Sequence, residues 1–228
     1  MSTALFDPIK TMGKLTRRVL VSYSGGKDSA VTLDLCSRYF NEVYIFRMYY
    51  VQGLSFQVTL NKWVKNKYNF DILDLPHFVL SQFLRYGTFR VPDLEVPILA
   101  PNDIYEYARQ RFNCFWIAGG ERAKDSIWRN AMLKKSSSID TQRGRFYPVM
   151  YWSKKEIEEY ILRYQIKISP ESKVLEHSFR SLEADELNKI KEYYPSDYSK
   201  IKAWFPLVEA SQKQGKMRQE NENKVSEI

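Results

Sequence analysis

Six consecutive residues, Ser24-Gly25-Gly26-Lys27-Asp28-Ser29, hold the densest chemistry in the chain. Adjacent glycines admit backbone angles closed to other residues and leave the backbone bare to an approaching ligand. Ser24 and Ser29 add hydroxyl donors, Lys27 a positive charge and Asp28 a carboxylate. Val19-Leu20-Val21, just before the loop, reads as a short buried strand. Asp28 to Tyr39, apolar at Ala30, Val31, Leu33, Leu35 and Cys36, reads as a helix. A strand, a glycine loop and a helix start suit an anion, because the first helical turn offers unbonded amides and the positive end of a dipole. The loop, with Ser22 and Tyr23 leading into it, is expected to hold phosphate groups. Asp28 can cap the helix, orient the loop or hold a magnesium ion that bridges phosphates. The spacing is neither that of the Walker loop nor that of the dinucleotide loop Gly-x-Gly-x-x-Gly, which disfavours kinase-like transfer and NAD chemistry.

A second constellation follows the apolar run Phe115 to Ala118. Gly119-Gly120 closes that run, and Glu121-Arg122-Ala123-Lys124-Asp125-Ser126 leads on to Arg129. Arg122, Lys124 and Arg129 could converge on an anion, Arg by its bidentate fork. A solvated charged loop is the plainer alternative. Asp125 is a second candidate magnesium ligand beside Asp28. Arg47, within the apolar run Val43 to Tyr50, could meet a phosphate or a nucleic-acid backbone, or be solvated or tied up in a salt bridge.

The elements that position these residues alternate. Strands are expected at Val43 to Tyr50, Phe70 to Leu75, Phe115 to Ala118 and Phe146 to Val149, besides the first. Helices are expected at Phe56 to Lys67, Phe78 to Arg85, Asp103 to Arg111 and Ser126 to Leu133. Ser153 and Glu156 form a capping box for a helix through Arg163. This order predicts an α/β fold: a Rossmann-like, mainly parallel five-stranded sheet flanked by helices. The proline-marked stretch 86–101 is expected to be a loop or lid over the carboxyl edge of the sheet. Residues 1–17 read as a polar lead-in, 18–170 as the nucleotide-binding domain and 171–210 as a small helical region, with helices at Leu182 to Tyr194 and Tyr198 to Ala210. The polar stretch 211–228 reads as a disordered tail.

A net charge of +8 suits a polyanionic partner without choosing among nucleotide, nucleic acid and phosphorylated metabolite. The 16 tyrosines put amphipathic rings where a ligand or partner could meet them. Cys36 and Cys114 are the two cysteines, both in apolar patterns, and no Cys-x-x-Cys occurs, so neither zinc nor an iron–sulfur cluster is expected. No apolar signal or membrane-length stretch is present, which makes the cytoplasm the expected location, with no membrane partner.

Tyr23-Ser24-Gly25-Gly26-Lys27-Asp28-Ser29 resembles the PP-loop of the adenine nucleotide α-hydrolase-like superfamily, whose motif Ser-Gly-Gly-x-Asp-Ser it completes. That group includes ATP pyrophosphatases and phosphoadenosine phosphosulfate reductases. Gly120-Glu121-Arg122, Ser126 and Arg129 resemble the reductase-like branch, as does Pro148-Val149-Met150-Tyr151-Trp152-Ser153 before a helix. The likeness spans about residues 18–170. It implies an adenine nucleotide at Ser22 to Ser29, Arg47, Gly119, Gly120, Arg122, Ser126 and Arg129. In ATP-using members ATP is cut between its α and β phosphates and an acceptor is adenylated; in the reductases the loop region takes a sulfonucleotide, PAPS or APS.

The chain departs from the reductases in having no cysteine after Cys114, where those enzymes carry a nucleophile in Glu-Cys-Gly. It also reads Arg47-Met48-Tyr49 where relatives often carry Asp-Thr-Gly. The leading expectation is therefore an ATP- and magnesium-dependent adenylating enzyme. Lys27, Asp28, Arg122 and Lys124 would carry the chemistry, with DNA or tRNA as acceptor, a sulfur donor or partner protein and a homo-oligomeric state in view. A sulfonucleotide enzyme without the usual thiol, and a nucleotide-binding regulatory module, are the alternatives.

Overall fold

The computed structural model describes residues 3–125 and 137–210. Six strands form one sheet: β1 (Arg18–Ser22), β2 (Glu42–Tyr49), β3 (Ile72–Pro76), β4 (Ile117–Ala118), β5 (Ile139–Asp140) and β6 (Arg145–Phe146). Their spatial order is β3-β2-β1-β4-β6-β5, parallel throughout except for the antiparallel pair β5 and β6. Val21 aligns with Ile45 of β2 on one side and Ala118 of β4 on the other. The chain thus winds outward from β1 in one direction and then returns to β1's other flank. Such a reversal leaves a crevice beyond the carboxyl ends of the two central strands, where open α/β sheets take their ligands.

Strand β1 is buried on both faces, as a central parallel strand must be. Val19 and Val21 point into one core, with α1 (Asp7–Leu15), α2 (Lys27–Tyr39) and α6 (Lys154–Arg163). Leu20 points into the other, with Phe46, Ile117 and α5 (Pro101–Phe112). A third core joins α3 (Ser55–Tyr68) and α4 (Phe78–Tyr86) to α7 (Ser172–Leu175), α8 (Ala184–Tyr193) and α9 (Pro195–Trp204) through Phe56, Leu80, Leu175, Leu187, Ile201 and Phe205. The Asp197 carboxylate accepts both the Ser55 amide, at 2.8 Å, and the Ser55 hydroxyl, at 2.6 Å, so α9 caps α3.

Most expected elements are present within a residue or two. The capping box is formed: the Ser153 amide donates to Glu156 at 2.7 Å and the Glu156 amide to the Ser153 hydroxyl at 3.2 Å. Four readings differ, one of them the last helix, expected at Tyr198 to Ala210 and found at Pro195–Trp204, where it stops ahead of Pro206. The sheet has six strands, the addition being the two-residue β5, too short for periodicity to reveal. The segment read as a polar lead-in contains α1, whose Ile9 and Met12 are fully buried, while the Trp152 indole donates to the Leu5 carbonyl at 3.1 Å. The proline-marked stretch is a loop, but it turns to the C-terminal helices rather than over the sheet edge: the Leu207 amide donates to the Phe89 carbonyl at 2.7 Å and Arg90 to the Trp204 carbonyl at 3.2 Å. The expected helix at Ser126 to Leu133 and the tail 211–228 lie outside the described residues. No described helix is long and apolar enough to cross a membrane.

Candidate functional site

The phosphate loop leaves the carboxyl end of β1 and enters α2. Gly25 has φ +83°, a left-handed conformation that a side chain would strain, and a Cβ there would stand 2.7 Å from Leu60. Gly26 is the N-cap of α2, so the amides of the first turn have no acceptor within the helix. The Ser29 hydroxyl donates to the Gly26 carbonyl at 3.0 Å and stands 3.1 Å from the Ser24 hydroxyl. The loop is held from outside as well, because the Ser169 amide donates to the Gly25 carbonyl at 2.9 Å.

Gly120, after β4, closes the crevice from the other side. A Cβ on it would lie 2.7 Å from the Ser29 amide nitrogen, so only glycine lets these two backbones meet. Arg122 is buried, and its Nε lies 3.0 Å from an Asp28 carboxylate oxygen while Nη1 donates to the Trp152 carbonyl at 3.4 Å. The second constellation thus braces the first through an ion pair.

A cavity of about 390 Å³ lies over the loop, with Ser22, Ser24, Gly26, Lys27, Asp28 and Ser29 on one wall. Met48, Tyr105, Gly120 and Glu121 form the sheet side. Ile168, Ser172, Glu176, His177, Ser178 and Arg180 face them from the C-terminal segment. That volume is within the roughly 300–1,000 Å³ of small-molecule sites, ample for a nucleotide. One charged and hydroxyl-rich wall opposite apolar Met48, Tyr105 and Ile168 suits a phosphate chain joined to a base.

The expected site residues divide. Ser22, Ser24, Gly26, Lys27, Asp28, Ser29 and Gly120 line this cavity together. Gly25 and Gly119 shape its backbone, and Arg122 holds Asp28 rather than facing the cavity. Lys124 is exposed and lines neither this cavity nor the second one described below. Arg47 is buried and spoken for: Nε and Nη2 donate to Asp74 at 2.9 and 2.7 Å, and Nη1 to Asn61 at 3.0 Å. The Asp125 side chain, Ser126 and Arg129 lie outside the described residues. Asp28, Glu121 and Glu176 are the described carboxylate side chains on the walls of this cavity. Among the described residues, no three His, Cys, Asp or Glu side chains cluster as a resident metal site.

No residue pattern marks the third wall beforehand. Glu171 and Glu186, both buried, shape it: Glu171 accepts the Ser169 hydroxyl and the Phe179 amide. Glu186 accepts the Arg180 and Ser181 amides at 3.2 and 3.3 Å, and its carboxylate stands 3.7 Å from the His177 ring. Glu, Ser and His in a loop give no periodic signal, and only tertiary contact brings them to the phosphate loop. Neither cysteine reaches the crevice. Both are buried, and burial pushes both thiols up.

Residues 18–78 match the family model of the phosphoadenosine phosphosulfate reductase domain. No curated protein matches the chain in sequence. Among solved structures, a phosphoadenylyl-sulfate reductase from Candida auris, in a phosphate complex, is 13% identical with a TM-score of 0.51, over 78% of this chain and 89% of that one. An ammonia-dependent NAD synthetase from Campylobacter jejuni is 14% identical with a TM-score of 0.50, over 92% and 91%. An FMN adenylyltransferase from Candida glabrata is 16% identical with a TM-score of 0.50, over 73% of this chain and 57% of that one. These solved structures share the fold of the chain. Its matched portion, β1 to the start of α4, resembles the phosphoadenosine phosphosulfate reductase domain.

Proposed function

We propose that the chain binds ATP with its phosphates on the loop and cleaves it between the α and β phosphates, adenylating an acceptor. The observation that carries this reading is the wall formed by Ser24, Gly26, Lys27, Asp28 and Ser29 at the amino end of a 13-residue helix, inside a cavity of nucleotide size. An acceptor oxygen would attack the α-phosphorus, and the bond to the bridging oxygen would break with its electron pair leaving on pyrophosphate. First-turn amides and Lys27 would stabilise the charge growing there, which is the largest contribution such a preorganised site makes. Asp28, steadied by Arg122, would place the magnesium ion that accompanies the triphosphate.

A sulfonucleotide enzyme is the second reading, favoured by the family match at residues 18–78. Thiol chemistry of the reductase kind has no support in the crevice, since both thiols are buried away from it. Pyrophosphate release from magnesium–ATP separates the readings, measured alone and with tRNA or DNA, wild type beside Asp28→Asn. Release that the variant loses supports adenylation, and stimulation by a nucleic acid identifies the acceptor class. Absence of release in every mixture, with PAPS or APS bound, overturns it in favour of the second reading.

A further inference from the structure

A second cavity, of about 160 Å³, adjoins the first and shares Ser22, Ser24, Met48, Ser178 and Arg180 with it. It lies toward β2, α3 and α4, and its walls are rings: Tyr23, Tyr50, Phe56, His77 and Phe179. Tyr50 stacks on His77 with centroids 4.5 Å apart, and His77 on Phe78 at 4.3 Å. The volume is below the range for a drug-sized ligand and suits a single small ring system.

Its charges are mostly settled internally, with Arg180 at the rim 4.0 Å from Glu186. Arg47 is paired with Asp74, and burial pulls the His77 imidazole down to about 4, which leaves it neutral near pH 7. Burial also holds the Glu171 carboxyl above the usual carboxylate range. Lys27 and the helix N-terminus belong to the first cavity alone. The second one therefore suits an uncharged ligand.

It is not apolar, however. The Tyr23 hydroxyl is buried, with the residue 1% exposed, and has no hydrogen-bond partner among the described residues. Buried tyrosine hydroxyls are nearly always bonded, and an orphan is destabilising. Gln57 and Glu171 bring an amide and a carboxyl to the same walls. Stacked rings beside a few donors and acceptors fit a flat heterocycle with a polar edge.

We propose that the second cavity is the acceptor subsite and takes one nucleobase-sized ring, its polar edge bonded by the Tyr23 hydroxyl, the Gln57 amide and the Glu171 carboxyl. This rests on reading the first cavity as the nucleotide site. The shared wall at Ser22, Ser24 and Met48 brings the two ligands together at the carboxyl end of β1.

Calorimetry on the full chain tests it. The four ribonucleosides and a single-stranded 12-mer are titrated in turn, with AMP and pyrophosphate saturating and again without them. At least one probe is expected to bind the loaded protein; tighter binding of the 12-mer than of the free nucleoside identifies a base carried on a chain, and the reverse a free base. Tyr23→Phe removes a hydroxyl that no described residue uses, so the fold survives, and it weakens the probe about three- to tenfold. Gln57→Leu does the same and leaves AMP affinity unchanged, since Gln57 lines the second cavity alone. The proposal is overturned if AMP binds and no probe does, if probe and AMP compete, or if both variants bind the probe as wild type does. Failure of AMP and pyrophosphate to bind sinks the reading of the first cavity instead, and the titrations without them then decide the second.

Discussion

Asp28 and Asp34 stand on the same helix and do opposite work. Asp34, with its side chain 1% exposed, is ringed by donors: Arg38 at 2.7 Å, the hydroxyls of Tyr68 and Tyr160 at 2.7 and 2.9 Å, and Lys67 at 3.7 Å. Burial, and then the carboxylate beside them, raises both tyrosines, which keeps them as donors. This knot ties α2 to α3 and α6. Asp28, with its side chain 22% exposed, meets Arg122 on one side and the large cavity on the other. The contrast teaches that residue type and helix do not set a carboxylate's role. A carboxylate enclosed by donors from three elements is structural; one braced at a cavity wall is available to a ligand.

The contrast can be broken most forcefully at Asp34. Asp34→Ala leaves two tyrosine hydroxyls and two cations without their acceptor and should cost about 3 kcal/mol, a fall of about 6–12 °C in Tm for a chain this size. Nucleotide affinity measured well below the transition should stay near wild type. A large loss of affinity in a folded Asp34→Ala protein would erase the distinction. Asp28→Asn should show the reverse emphasis: pyrophosphate release down about 100-fold, with a smaller fall in Tm than Asp34→Ala, since it removes the counter-charge of Arg122 alone and keeps the side chain's shape. A collapse in Tm there would make Asp28 structural too.

Gly120→Ala sharpens the comparison from the neighbouring strand. Its methyl would press on the Ser29 backbone and displace the loop, with ATP affinity expected to fall about tenfold and Tm only slightly. Unchanged affinity by calorimetry would mean that the loop tolerates the shift. The smallest effect concerns pH. His77 is held at about 4 in the folded chain against an ordinary 6.5, so the unfolded chain binds a proton in that window and the folded chain does not. Stability is therefore full above about pH 6.5 and declines as pH falls toward 4. His77→Asn, which keeps an N-cap acceptor for the Val79 amide, should flatten that decline in urea titrations, and an unaltered slope would assign it to other groups.

How much of this was legible beforehand follows from range. The phosphate loop, the strand before it and the Ser153–Glu156 box are local patterns, so their residues announce them. Asp34 is a polar residue inside an apolar helix pattern, with nothing nearby to say that Tyr68 and Tyr160 would enclose it. Arg122 was legible as a basic residue near the site but not as the brace of Asp28. The wall from Ile168 to Arg180 was illegible because its meaning comes from distant partners, as when Glu171 lines the ring-walled cavity. Ile9 and Met12 were hidden by polar neighbours, although their spacing is helical.

The hydrogen bond from Ser169 to Gly25 also has a history in time. Ribosomes add roughly 5–20 residues each second, so the Gly25 carbonyl waits on the order of ten seconds for its donor to be made. Through that interval the nascent chain carries a complete phosphate motif in an incomplete setting. A transcript stopped shortly before codon 169 should yield a polypeptide that has every residue of the motif and no hold on pyrophosphate.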